Sequence, residues 1–302
     1  MNETETVPDE TAGILYAGAA YSLWGIVPLY WRLLDGVGPI ELTIHRVLWC
    51  ALFVGAVTLA RGRLARLMAI FATRRTLGAL ALSSVLIAAN WTVYIWCVST
   101  RHLVDAALGY YLTPLLSIAL GVILLGERIS RFRLAALVLA TVAVGVQAFE
   151  LGHVPWIALA LAFSFGFYGF VRKQTVVDAL DGLTVETWLL FPLTLGCVGF
   201  WAFQGTGAFP STSLSRDALL IGAGPLTAVP LVMFAAGARR VRMTTLGFLQ
   251  YLSPSITLLV ATLLLGEHFT RTDAITFGCV WTALVLVGIE GQVVRSAARR
   301  AV

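Results

Sequence analysis

Apolar runs close to twenty residues long recur along the whole chain. That length carries an α-helix across the hydrocarbon core of a bilayer. Only helices and closed barrels cross it with every backbone polar group satisfied. Ten such runs can be marked, at 14–33, 40–60, 77–98, 105–125, 133–150, 154–172, 183–203, 217–238, 244–265 and 273–293. Of 302 residues, 59% are hydrophobic and only 12% charged, about half the charge of a soluble domain. A soluble all-helical protein would need amphipathic helices with charged faces, and these runs lack them. The sequence therefore predicts an all-α membrane protein of ten transmembrane helices, with a tail at each end (1–13 and 294–302).

The basic residues fix an orientation. Twenty of the 21 are Arg and one is Lys173. Sixteen of them fall in every second connection: Arg61, Arg63, Arg66, Arg74 and Arg75; Arg128, Arg131 and Arg133; Arg172 and Lys173; Arg239, Arg240 and Arg242; Arg295, Arg299 and Arg300. The alternate connections hold only Arg32, Arg101, Arg216 and Arg271. By the positive-inside rule both termini are expected in the cytoplasm, and the basic excess is a topology signal rather than a nucleic-acid footprint. The acidic start, MNETETVPDE, has no basic n-region or cleavage site, so the first helix reads as retained. Cys50, Cys97, Cys197 and Cys279 each fall inside a span without metal-ligand spacing and read as packing residues.

The chain also repeats itself. YLTPLLSIALGVILLGE (111–127) aligns without a gap on YLSPSITLLVATLLLGE (251–267), and AYSL (20–23) on AFSF (162–165). Two halves follow, 14–150 and 154–293, each of five crossings. Five is odd, so the second half enters the membrane inverted. Inverted repeats commonly build transporters, with a site near the midplane between the halves. Pro114 and Pro254 sit at matching places in spans four and nine. Each removes a backbone donor, and the two are candidate gates, with Thr113 and Ser253 placed to satisfy freed carbonyls. Gly126 and Gly266 close helices, leaving Glu127 and Glu267 in loops with structural roles.

Polar residues inside the spans narrow the function. IELTIHRVLWC (40–50) places Glu41 in a first helical turn, His45 one turn on along the same face, and Arg46 about 9 Å deep. Arg46 either snorkels outward or faces the bundle interior. Glu186 takes the matching first-turn place in span seven, and Asp105, Asp217 and Asp273 read as N-caps. The remaining interior candidates are Tyr21 and Trp24, Asn90, Trp91 and Tyr94, Tyr110 and Tyr111, Tyr168, Gln250 and Tyr251. Trp31, Trp156 and Trp201 read as interfacial belt residues. Rings beside neutral hydrogen-bonding groups suit a small amphipathic organic molecule. Neither a charged ring nor a carbonyl filter for ion conduction is visible. No mid-membrane acid of the proton-relay kind is found, which leaves His45 as the titrating group for any proton coupling.

Two other classes were weighed. An intramembrane metalloprotease would show His-Glu-x-x-His, and an ATP-driven pump a Gly-x-x-x-x-Gly-Lys-[Ser/Thr] loop; neither is present. Cys50 is five residues from His45, a poor geometry for a nucleophile and its base. A channel or a non-transporting scaffold is the alternative to a carrier.

The segments AYSLWGIVPLYW (20–31), HRVLW (45–49), NWTVYIWCV (90–98), ALGYYLTPL (107–115), ALAFSFGFYGFVRK (160–173), TAVPLVMFAAGARRVRMTTLGFLQYLSP (227–254) and the Gly-Glu at 266–267 carry a family resemblance. Together they resemble the RarD branch of the EamA family, in the drug/metabolite transporter superfamily. The resemblance implies a ten-helix transporter of the bacterial inner membrane. Spans 1, 3, 4, 6, 8 and 9 would surround a central cavity, with spans 5 and 10 peripheral. It implies export or exchange of a small metabolite or drug-like compound, without a cofactor or metal. Partners would be that substrate and the lipid bilayer, not nucleic acid. A homodimer and proton coupling are both compatible with it.

Overall fold

The computed structural model describes residues 10–99, 103–151, 154–264 and 271–300, and among them the chain is helical without a strand. In order the helices are α1 (Glu10–Arg32), α2 (Pro39–Ala60), α3 (Leu64–Ala72), α4 (Arg74–Ser99), α5 (Leu103–Leu125), α6 (Arg131–Leu151), α7 (Trp156–Gln174), α8 (Ala179–Gln204), α9 (Leu214–Ala238), α10 (Met243–Gln250), α11 (Leu252–Leu264) and α12 (Arg271–Arg300). By length and composition, eight helical segments among the described residues can cross a membrane, one of them Met243–Leu264 taken across α10 and α11. Of the other predicted spans, α7 ends in Arg172, Lys173 and Gln174, and α12 contributes a shorter apolar stretch, Ala274–Glu290. The short α3 lies in the Arg-rich loop after α2 and was not expected as a separate helix. It exists because LARLMAIFA turns Leu67 inward against Leu80 and Val185.

Packing runs across the chain rather than along it. α2 lies against α8 and α9, α1 against α9 and α11, and α7 against α4 and α5. α6 packs chiefly against α12 and touches α5 beside it. Small residues set the approach, as is usual where lipid gives helices no hydrophobic reason to associate. A Cβ on Gly224 of α9 would stand 2.4 Å from the backbone carbon of Trp49 in α2, and one on Gly237 would stand 2.8 Å from the Ala17 nitrogen in α1.

The two proline sites differ. Span nine is broken at Tyr251, three residues before Pro254. Pro254 has no N–H for the Gln250 carbonyl, and the Tyr251 N–H reaches back only three residues, to Phe248 (3.2 Å). α5 runs unbroken past Pro114. There Thr113 Oγ1 donates to the Gly109 carbonyl (2.7 Å), and the Tyr251 hydroxyl donates to that of Tyr111 (3.3 Å). Beside Pro254, Ser255 rather than Ser253 makes the side-chain bond: it donates to the Tyr251 carbonyl (2.7 Å), which also takes the Ser255 N–H, and accepts from Trp281 Nε1 (3.0 Å).

Polar contacts gather on the Arg-rich face and join N-terminal helices to C-terminal ones. Arg63 Nη1 lies 2.7 Å from Asp178 Oδ1 and 3.2 Å from Asp181 Oδ1. The α5 helix closes at Gly126, whose φ of 65° suits glycine. Glu127 then accepts the N–H groups of Met243 (2.6 Å) and Thr244 (2.9 Å), capping α10. Its loop position is thus a cross-chain cap rather than a local stop. Arg133 binds Glu290 (2.8 Å), Thr244 (3.1 Å) and Thr245 (3.2 Å). Gly266 and Glu267 lie outside the described residues, as do the side chains of Asp105 and Asp273. Asp217 is not the cap of α9, which is Ser213; it sits inside the first turn and accepts the Ser211 N–H (2.9 Å).

Two outcomes follow from this packing. Gly224→Ala forces a methyl onto the α2 backbone and should cost about 1–3 kcal/mol. Gly196→Ala, with nothing within 4 Å of its added Cβ, should gain about 0.5–1 kcal/mol from helix propensity. Thermal unfolding in detergent distinguishes the two signs. Burial alone would raise the Asp178 carboxyl, but Arg63 and the N–H groups of Leu180 and Asp181 outweigh it and hold it below the ordinary carboxylate range. A depressed folded value stabilises fully above the unfolded value, about 3.9. That stability is lost as pH falls through the folded value. Below about pH 4 the parent protein should therefore lose stability that Asp178→Asn lacks from the start. The difference should be no more than about 1 kcal/mol, because both side chains are partly exposed. Unfolding midpoints of the two proteins from pH 6 to pH 3 check it.

Candidate substrate-binding site

Most of the residues expected to bind substrate fall into three separate places. The first surrounds Arg46, in the second turn of α2. Its guanidinium carbon lies 4.7 Å from the ring centre of Trp31 in α1 and 5.3 Å from that of Trp91 in α4, within cation–π range of both. Nε donates to Thr227 Oγ1 of α9 (3.3 Å), and that hydroxyl is oriented by its own bond to the Ala223 carbonyl (2.7 Å). Tyr94 and Tyr110, with ring centres 6.0 Å apart, lie within electrostatic reach. Tyr110 keeps half of its surface accessible. Arg46 therefore points into the bundle and does not snorkel. Trp31, read from the sequence as a belt residue, is one wall of this place. Thr227, which the sequence reading passed over, fixes the guanidinium.

The second place is a closed aromatic core. Tyr21 and Trp24 of α1, Phe165 and Tyr168 of α7 and Phe234 of α9 pack with ring centres 5.5 to 6.0 Å apart. Tyr21 and Tyr168 are buried to within 2%. The third is a set of interhelical ties. Asn90 donates to the Leu161 carbonyl and to Ser164 Oγ, each at 3.0 Å, joining α4 to α7. Gln250 Oε1 accepts from Ser117 (3.1 Å), joining α10 to α5. Tyr111 and Tyr251 belong to the proline region described above, and Tyr111 packs on Phe277.

His45 stands apart from all three. It is buried beneath the α8–α9 loop, with its ring 5.7 Å from that of Phe209. Glu41 Oε1 is 3.9 Å from Nε2, and neither ring nitrogen has a hydrogen-bond partner. Glu41 itself accepts the Ala208 N–H, so this acid ties the loop down.

One further site overturns an expectation. α8 begins at Ala179, not at 183, so Glu186 lies two turns inside the helix and is 1% exposed. An acid is therefore embedded in a span after all. Arg172 Nε stands 3.5 Å away, itself 1% exposed, and Arg172 Nη2 donates to the Ala179 carbonyl (3.3 Å). Ser83 donates to Glu186 Oε1, and Ser84 to its backbone carbonyl (2.9 Å). Gly182 makes room for the guanidinium: an added Cβ would meet Arg172 Nη1 at 2.2 Å. Glu186 Oε2 and Arg172 Nε and Nη1 have no hydrogen-bond partner. The signal was in the sequence, since Asp178 at an N-cap starts the helix a turn earlier and moves Glu186 inward. Among the described residues no three His, Cys, Asp or Glu side chains converge as metal ligands.

Breaking a buried pair leaves an uncompensated charge and costs about 3–5 kcal/mol, whereas replacing both members by apolar groups is often neutral. Arg172→Met alone should therefore destabilise severely. Arg172→Met with Glu186→Met should recover most of the loss. Expression and unfolding of the two variants in detergent test the coupling, and a double variant as unstable as the single one would refute it.

Comparison with known proteins places this arrangement in context. The profile of the EamA-like transporter family matches residues 11–147 and again 154–289. An uncharacterized transporter of Vibrio cholerae is 39% identical over 301 residues, covering 100% of both chains. Protein RarD of Escherichia coli K12 is 40% identical over 274 residues, covering 91% of this chain and 93% of its own. A solved crystal structure shares the fold with a TM-score of 0.69 at 18% identity, over 93% of this chain and 98% of the other.

Proposed function

The chain belongs to the EamA-like transporter family, and on that premise we propose that it is a secondary transporter. It moves a small amphipathic metabolite or drug-like compound across the bacterial plasma membrane by alternating access. Ten crossings form two inverted five-helix repeats, 14–150 and 154–293, with both termini in the cytoplasm. The two separate stretches matched by one family profile support the repeat.

The observation that carries this reading is an intramembrane cation turned inward and touched by three other helices, beneath an interface between N- and C-terminal helices that is pinned at both ends. On the Arg-rich end the pins are Arg63 with Asp178 and Asp181, and Glu127 with the start of α10. On the Arg-poor end Glu41 holds Ala208, and the Tyr30 hydroxyl donates to the Leu219 carbonyl (2.6 Å). Releasing one set while keeping the other would open Arg46 to one side at a time. Export is the direction we favour, and Glu41 and His45 sit where the outer release path would lie.

A cross-link tests the alternation. Arg63→Cys and Asp178→Cys are introduced after replacing the two part-accessible thiols, Cys197 and Cys279, by Ser. A short reducible bifunctional thiol reagent should lower flux in proteoliposomes at least tenfold, and reduction should restore it. Undiminished flux through the cross-linked protein would refute opening at this end. Currents far above carrier turnover would mark a channel instead.

A further inference from the structure

The transporter reading leaves the charge of the substrate open, and the surroundings of Arg46 narrow it. A guanidinium carries five N–H donors in a planar fork. The carbon of this one lies over the rings of Trp31 and Trp91, and Nε is used by Thr227. The outer fork, Nη1 and Nη2, has no acceptor among the described residues. Four of the five donors therefore stay unmatched at a part-buried position. No Asp or Glu forms an ion pair with Arg46 among the described residues, although Arg63, Arg133 and Arg172 each have one. Among the described residues the groups within electrostatic reach are Tyr94, Tyr110 and Cys50, none of them a carboxylate. The nearest acid on the same helix, Glu41, is committed to Ala208 and faces His45.

A cation held inside a membrane bundle without a counter-charge is expensive and marks a pathway or a ligand. Its free edge matches a carboxylate, which a guanidinium fork receives through two parallel bonds. We propose that Arg46 is the charge-recognition residue of the substrate site and that the substrate is a small organic monoanion, a carboxylate on a flat apolar or aromatic body. The carboxylate pairs with Nη1 and Nη2, and the body lies along Trp31, Trp91, Tyr94 and Tyr110. Among the described residues no second Lys or Arg is within electrostatic reach of the guanidinium, so one negative charge is balanced and two are not. That favours a carboxylate over a phosphate monoester. This inference rests on the transporter reading.

The test uses the full chain and three probes of one shape: 3-phenylpropionate, its uncharged amide and the corresponding amine. Binding is followed by thermal stabilisation and by quenching of tryptophan fluorescence in detergent. Movement is followed in proteoliposomes against protein-free vesicles. The carboxylate should bind at least tenfold more tightly than the amide, and the amine should bind weakest. Arg46→Gln should bring the carboxylate to the level of the amide, while Arg46→Lys keeps a preference for the anion. Unfolding midpoints without ligand show whether both variants are folded. Equal affinity for carboxylate and amide, or full carboxylate binding by folded Arg46→Gln, overturns the inference. Flux of the amide with no preference for the anion sinks the charge assignment and leaves the transporter standing. If none of the three binds or moves, the charge assignment falls, and the transporter reading falls with it for aromatic compounds of this size.

Discussion

Hydrocarbon offers no hydrogen-bonding partner, so polar groups inside the bundle are answered from their own helix or from a neighbouring one. That requirement organises the molecule. The Gly109 and Tyr251 carbonyls beside the two prolines are answered by Thr113 and Ser255, and that of Tyr111 by the Tyr251 hydroxyl. Asn90 is answered by α7, and Gln250 by α5. Glu186 finds Arg172, Ser83 and Ser84. Where the answer comes from a distant part of the chain, it also fixes which helices lie side by side. Small residues such as Gly224 and Gly237 then let those helices come close enough for the bonds to form.

Two arginines turned into the bundle show the rule kept and the rule left open. Arg172 has its acid 3.5 Å away and is sealed from solvent, so its charge is spent within the fold. Arg46 has two indole rings and one hydroxyl beside it, and among the described residues its outer edge is unused. The first can be exchanged for apolar bulk together with its partner. The second would lose its only distinguishing feature, a charge presented to whatever enters between Trp31, Trp91 and Tyr110. The same side chain thus serves packing in α7 and, on the transporter proposal, recognition in α2, and the difference lies in its neighbours.

How much of this could be read beforehand follows from the range of each signal. The helical spans depend on length and apolarity, which are local, and eight of the ten expected recur among the described residues as helical segments long and apolar enough to cross a membrane. The depth of Arg46 was legible too, because it follows from its distance to Pro39. Its direction was not. Trp31 looks like an interfacial anchor in sequence, since an indole near a helix end sits equally well in a headgroup layer or over a cation. Glu186 was misplaced by one turn, because the helix starts at Ala179 with Gly182 inside it. Its real purpose, space for the Arg172 guanidinium, appears only when α7 lies beside α8. The division of span nine at Tyr251, against the continuity of α5 past Pro114, was likewise invisible. The two segments share their proline frame, and what differs is the packing around each.

The cap that Glu127 places on α10 bears on how the chain is made. Synthesis runs from the N-terminus, so Arg63 and Glu127 are in place before residues 178, 181, 243 and 244 exist to meet them. The early helices must wait with these charges at the edge of the bilayer, where water or lipid headgroups can hold them. A product truncated before α8 would display that unpaired face permanently. The surface that joins the two ends of the finished protein is therefore also the surface by which quality control can recognise an unfinished one.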